Sequence, residues 1–383
     1  METSAAKKID PIQRGEDYRK LMMKAEANQI KFLVSKIVGT KQETDSSIFD
    51  ECFRVREYIK TRDSSNWMEK WQHASLEEVF SPAFLGLDDT GMQKLEFQNP
   101  PYVAAFRLGG DPRDYNNAFT VQVAGCCYEC SFCYVPKELN NPTSGHGSFL
   151  SASEILDAFE RARRDYSNKG TAVNVIRLSG GEVTTLVPEL IASVNLEINK
   201  RNMSRSTYLW VDTNLSSTKQ LEPFEDEFKV LARQRNIGFV GCLKAIGNRQ
   251  TGSVDFSTIT GASPEFFESQ FQALDYFVND LEADFYVYIL PIVLDHGKDR
   301  LQIRLQETFH ELRDIHENLP LRTNMLTIHE YTPTKANLRD AEKEGRPLKS
   351  FGEKSVFETW YQILRQNYTS NELLRYRCQV PLF

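Results

Sequence analysis

Apolar positions recur along the chain with two different periods, and the changeover divides it. Up to about residue 100 the spacing is helical: Ile48, Phe49, Cys52, Phe53, Val55, Tyr58 and Ile59 fall mostly three and four apart, and 16–38 has a similar texture. A helical extension over 1–100 is the expectation. Between 99 and 117 the chain is rich in Asn, Pro, Gly and Asp, which reads as a loop and as the boundary of the next unit. Beyond it, short β-rich runs alternate with longer amphipathic ones.

Strands are predicted at 119–124, 173–178, 207–211, 237–243, 285–289 and 325–328. A helix should start after Ser151, where Ser151 and Glu154 make a capping box ahead of Ile155, Leu156 and Phe159. Further helices are predicted at 188–200, 224–235, 264–282, 300–318 and 356–367, the third of these five opening on Pro264 at its first turn and the whole tail reading as mainly helical. Six strands alternating with helices imply a parallel sheet, and right-handed crossovers throughout curl it toward a barrel. The expected fold is α/β, a partial (βα)6 TIM-like barrel over 101–335, with the extension over 1–100 before it and a helical segment over 336–383 after it. A doubly wound open sheet is the alternative.

In such folds the site lies where the strands end. After the first strand stands a run of cysteines, and after the second, Ser179-Gly180-Gly181-Glu182. The third ends in Asp212-Thr213-Asn214, the fourth in Lys244, the fifth in Asp295-His296 and the sixth in His329-Glu330-Tyr331. Turns favour Gly, Asn and Asp on their own account. A thiol cluster among them is what singles out this rim.

Composition narrows the class. The chain has 383 residues, 40% hydrophobic and 26% charged, which fits an ordinary globular protein. No apolar run is long enough to span a bilayer, and the first residues lack a secretory core, so a cytoplasmic setting with reduced thiols is expected. A net charge of -7 offers no general attraction to nucleic acid, and Arg161, Arg163 and Arg164 read as a solvated helix face.

Four of the seven cysteines fall within the eight positions from Cys126 to Cys133. Soft thiolates favour zinc, copper(I) or iron–sulfur clusters. Zinc usually takes four ligands from two separated pairs, and here only the distant Cys242 is available to complete a set. A ferredoxin-type run through Cys127, Cys130 and Cys133 fails because position 137 is Lys. Cys126, Cys130 and Cys133 instead form C-x-x-x-C-x-x-C, three ligands that leave one iron of a four-iron cluster open. Cys127 reads as a bystander, Cys52 as core, and Cys242 and Cys378 stand alone.

At this point the sequence resembles the radical S-adenosylmethionine superfamily, whose signature C-x-x-x-C-x-aromatic-C is matched by Cys126, Cys130, Phe132 and Cys133. The resemblance spans 119–292. It implies a [4Fe-4S] cluster and S-adenosyl-L-methionine, cleaved reductively to methionine and a 5′-deoxyadenosyl radical that abstracts hydrogen from a substrate, and thus an oxidoreductase-type enzyme. It also implies that Gly180, Gly181 and Glu182 touch the amino group of the methionine moiety, Glu182 being able to accept from an ammonium. Val183 replaces the Pro usual there. Phe132 would lie near the adenine.

Asp212-Thr213-Asn214 and Leu243-Lys244 are similar to segments of glycyl-radical-enzyme activases in that superfamily. The similarity implies that Lys244 pairs with the ligand carboxylate, that Asp212 or Asn214 reaches ribose hydroxyls or carboxylate, and that the substrate is a protein or peptide. An electron donor such as ferredoxin or flavodoxin would be the partner. No second cysteine cluster and no cobalamin-type domain is evident, while His296, His329 and Glu330 are candidates for substrate contact. The rival readings are a nucleotide, RNA or small-molecule modifying enzyme of the same superfamily, and a non-catalytic zinc or iron–sulfur protein.

Overall fold

The computed structural model describes residues 8–37, 52–58, 99–143, 145, 147–292, 298–326, 332–345, 353–373 and 375–383. In chain order these form α1 (Pro11–Met22), β1 (Met23–Glu26), β2 (Gln29–Ser35), β3 (Phe53–Glu57), α2 (Asn99–Leu108), β4 (Asn117–Val123), β5 (Gly147–Ser151), α3 (Ala152–Ser167) and β6 (Val175–Gly180). There follow α4 (Val183–Leu186), α5 (Pro188–Lys200), β7 (Tyr208–Thr213), α6 (Glu225–Ala232), β8 (Ile237–Leu243), α7 (Ser253–Thr260), α8 (Phe266–Asp275) and β9 (Phe285–Ile289). The last elements are α9 (Lys298–Ile315), β10 (Thr323–Met325), α10 (Thr332–Lys343), α11 (Glu353–Asn367) and α12 (Ser370–Leu373).

β4, β6, β7, β8, β9 and β10 pair in sequence order, each parallel to the one before. A doubly wound sheet reverses its order at a switch point, so strictly sequential pairing selects the partial (βα)6 barrel. Period-two alternation then gives each strand two faces. Phe119, Val121, Ile176, Leu178, Leu209, Val211 and Phe239 belong to the large core under the helices, while Ala118, Val175, Tyr208, Trp210, Val240 and Tyr286 form a second, separate cluster on the concave face.

Helix starts follow local chemistry. Ser151 and Glu154 make the expected capping box at α3, and α5 begins at Pro188 and ends at Lys200 as predicted. β8 and β9 match their predicted bounds, and β10 begins two residues earlier than expected and ends at Met325.

β5 and α7 are elements the sequence did not predict, and two further regions differ from the expectation. The helix predicted over 16–38 ends at Met22, and β1 and β2 form a hairpin whose two turn residues, Ala27 and Asn28, both have positive φ. That is the turn type matching strand twist, but without the Asn-Gly or Asp-Gly that announces it. β2 and β3 pair with β4, so the extension adds strands to the same sheet. In β3 the alternation of buried Phe53 and Val55 with Arg54 and Arg56 follows a period of two; helical spacing fitted the same residues by chance. Ile48, Phe49 and Ile59 lie outside the described residues, as do Asp295, His296, His329, Glu330 and Tyr331.

The predicted loop over 99–117 contains α2. Pro100 and Pro101 fall in its first turn, where no intrahelical N–H is lost, and Gly109 ends it with φ +83°. Tyr102, Val103 and Ala105 pack with Tyr208, Trp210 and Tyr376, closing the barrel at the end where its strands begin. Arg107 fastens this plug to the carbonyls of Gln234 and Arg235.

Candidate metal centre at the strand ends

The loop after β4 is held from two sides. Gly125 and Cys126 donate their amides to the carbonyls of Leu139 (3.1 Å) and Asn140 (3.0 Å). Glu129 and Ser131 donate theirs to Thr260 and Ile259, both at 2.9 Å, at the C-terminal end of α7. Inside the loop, Cys133 N–H donates to the Cys130 carbonyl at 3.1 Å, and Val135 N–H to Cys133 Sγ at 3.4 Å. The thiols are thus carried on a braced backbone.

Cys127 packs against α1. It is fully buried beneath α1, where a Cβ placed on Gly15 would lie 3.6 Å from its sulfur. Cys126, Cys130 and Cys133 remain on the rim side, and the Lys244 ammonium at the end of β8 acts on all three. Burial pushes each thiol up, Cys126 to about 11, with Cys133 the next contributor there. For Lys244, burial opposes the charge, but Cys242, Cys130 and Cys126 outweigh it and raise its pKa. Its Nζ lies 6.0 Å from the centre of the Phe132 ring. Asn214 adds a side-chain N–H donated to Cys126 Sγ at 3.4 Å, while its Oδ1 accepts from Ser216 N–H at 2.9 Å.

Two sequence candidates already have hydrogen-bond partners within the chain. Glu182 is 0% exposed, and its carboxylate is turned inward. Oε1 accepts from Thr184 N–H (2.9 Å), Thr184 Oγ1 (2.6 Å), Thr213 Oγ1 (3.1 Å) and Thr185 N–H (3.2 Å), and Oε2 accepts from Asn214 N–H (2.5 Å). Burial raises its pKa against those hydrogen bonds. The residue caps α4 and ties the end of β6 to the end of β7. Asp212 lies on the concave face, where Arg177 donates to its Oδ2 (2.7 Å from Nη2, 3.0 Å from Nε) and its Oδ1 (3.2 Å from Nε), and Ser179 Oγ, 2.9 Å from Tyr134 Oη, donates to Oδ2.

The two glycines have steric reasons. A Cβ on Gly181 would lie 1.8 Å from the Gly125 carbonyl oxygen, and one on Gly180, at φ +98°, 2.3 Å from Gln122 Cγ. They let the end of β6 press against the cysteine loop, and Gly181 and Glu182 donate amides to Val123 and Gly125 at 2.9 Å. Sequence reasoning missed Arg177 and Tyr134; an arginine inside a β-rich run was the available signal.

Three soft sulfur donors, two N–H groups directed at sulfur and one adjacent cation suit an anionic thiolate-bound metal cluster. Among the described residues, no group of three or more His, Cys, Asp or Glu side chains gathers around a single-ion position. No helix there is long and apolar enough to cross a membrane.

No family model and no curated protein matches the chain. Among solved structures, a point mutant of spore photoproduct lyase is 14% identical, with 64% of this chain and 72% of that one covered and a TM-score of 0.42. The radical S-adenosylmethionine methyltransferase TsrM from Kitasatospora setae, solved with cobalamin and a [4Fe-4S] cluster, is 15% identical, with 59% of this chain and 39% of that one covered and a TM-score of 0.37. At such identities the functional reading rests on the chain's own residues.

Proposed function

We propose that the protein is a radical S-adenosylmethionine enzyme in which Cys126, Cys130 and Cys133 hold a [4Fe-4S] cluster. The observation that carries this reading is that the loop after β4, which bears the three thiols, receives the Asn214 side chain from the end of β7 at Cys126 Sγ and the Lys244 ammonium from the end of β8 over its Phe132 ring. A cubane distributes its ligands over separate irons, so its cysteines need not converge on one point as around zinc. When bound, the cluster supplies the electron that splits S-adenosyl-L-methionine to methionine and a 5′-deoxyadenosyl radical, and the radical takes hydrogen from the substrate.

The chain's own part is electrostatic and steric. In this reading Lys244, whose ammonium lies over the Phe132 ring, balances thiolate charge and pairs with a ligand carboxylate. Asn214 and the Val135 amide donate toward sulfur. Glu182, Gly180 and Gly181 set the shape of the rim. Because Arg177 already holds Asp212 on the concave face, Asp212 belongs to the substrate side of the cavity in this reading.

A protein or peptide is the substrate class we favour, on the activase-like Asp212-Thr213-Asn214 and Leu243-Lys244 segments, with ferredoxin or flavodoxin as electron donor. The negative net charge argues against RNA. The test is anaerobic reconstitution followed by dithionite and S-adenosylmethionine. About four irons and four sulfides per chain, with 5′-deoxyadenosine and methionine as products lost in Cys130→Ala, support the reading. One zinc per chain and no cleavage would replace it with a structural metal protein.

A further inference from the structure

α10 reaches the cysteine loop from the far end of the chain. Pro333, Thr334, Asn337 and Ala341 are its buried residues, and the last three, at i, i+3 and i+7, share one face. From that face Asn337, 3% exposed, donates one side-chain amide nitrogen to two carbonyls: Cys133 at 2.9 Å and Val135 at 3.1 Å. Farther along, Lys137 and Glu344 pair at 3.1 Å, a second tie between the same two segments.

We infer that Asn337 is a positioning residue for the Cys133 ligand, an inference that rests on reading Cys133 as a cluster thiolate. The peptide unit between Tyr134 and Val135 carries the N–H that donates to Cys133 Sγ. Asn337 grips the carbonyls on either side of that unit, so it sets the direction of the N–H and with it the sulfur. The geometry asks for a carboxamide: its NH2 has two protons to offer, and both acceptors are carbonyls that a carboxylate would repel. The helix after β10 is therefore part of the metal centre and not an appendage.

The iron-free chain, handled anaerobically, is alkylated with iodoacetamide, and each cysteine's labelling rate is followed by mass spectrometry. Asn337→Asp keeps the shape and removes both donors. Cys133 should then label at least about tenfold faster than in the unaltered chain, the scale of two lost buried hydrogen bonds. Cys126, whose amide donates to the Asn140 carbonyl and which Asn337 does not touch, should keep its rate. Equal acceleration at Cys126, Cys133 and the buried Cys378 would mean general loosening and would overturn the inference, as would no change at Cys133. Asn337→Ser, too short to reach either carbonyl and uncharged, repeats the comparison should the Asp variant not fold. Iron content of the unaltered chain tests the cluster reading separately, so either idea can fail alone.

Discussion

Asn214 Nδ2 stands 3.4 Å from Cys126 Sγ, so the end of β7 donates a hydrogen bond to a sulfur carried by the loop after β4. Hydrogen bonds to ligand sulfur favour the reduced, more negative state of a cluster. Asn214→Ala should shift the midpoint potential of the reconstituted protein to a more negative value, measured by spectroelectrochemical titration. It also orphans the Ser216 amide, at a cost of about 1–3 kcal/mol. An unchanged potential would remove Asn214 from the centre.

The four clustered cysteines should separate into two groups. Cys126→Ala, Cys130→Ala and Cys133→Ala are each expected to lose iron and sulfide. Cys127→Ala, whose sulfur is buried beneath α1, should retain both and lose only about 1 kcal/mol of stability through a small cavity. Iron and sulfide analysis beside thermal melting checks this; iron loss in the Cys127 variant would reassign the ligands.

Gly181→Ala forces a Cβ into the Gly125 carbonyl, and backbone has no rotamer by which to yield. The expected cost is at least about 1–3 kcal/mol, with a displaced cysteine loop and poor iron retention. Gly145→Ala, where nothing among the described residues lies within 4 Å of the added Cβ, is the control and should stay within about 0.5 kcal/mol of the parent.

Burial, then Cys133, lifts the Cys126 thiol from 9.0 to about 11. A folded value above the unfolded one contributes stability that is whole below pH 9.0 and is lost as pH rises toward 11. The iron-free chain should therefore lose stability across that window, less steeply in Cys126→Ala. Urea midpoints at neutral pH and within the window measure it. Metal loading should release the thiol protons and be favoured by raising pH up to that limit.

At the opposite end of the barrel, Asp284 joins Arg322 (2.5 Å) and Arg107 (3.3 Å), with the Asp284 and Arg322 side chains only 5% and 7% exposed. Asp284→Asn leaves two guanidinium groups short of their counter-charge and should cost about 3–5 kcal/mol, seen as a fall in the melting temperature. Iron binding at the strand ends should survive if the plug and the rim are independent.

The linear chain by itself determined what depends on near neighbours. The strand–helix alternation from 117 onward, the Ser151–Glu154 capping box and the three-cysteine spacing after the first parallel strand were all legible, because periodicity, caps and ligand spacing are written in contiguous residues. The β1–β2 hairpin was not, since Ala27-Asn28 lacks the usual turn residues, and α2 hid behind a Pro-rich start.

Tertiary structure decided whatever depends on partners far apart in the chain. It turned Glu182 inward, because the amides of α4 and Asn214 had to be satisfied away from water. It gave Asp212 to Arg177, because their positions fall on the same concave face of adjacent strands. It brought Asn337 to Cys133 across 204 residues, a contact that no local pattern encodes. Backbone and packing choose such partners only once the sheet order is set.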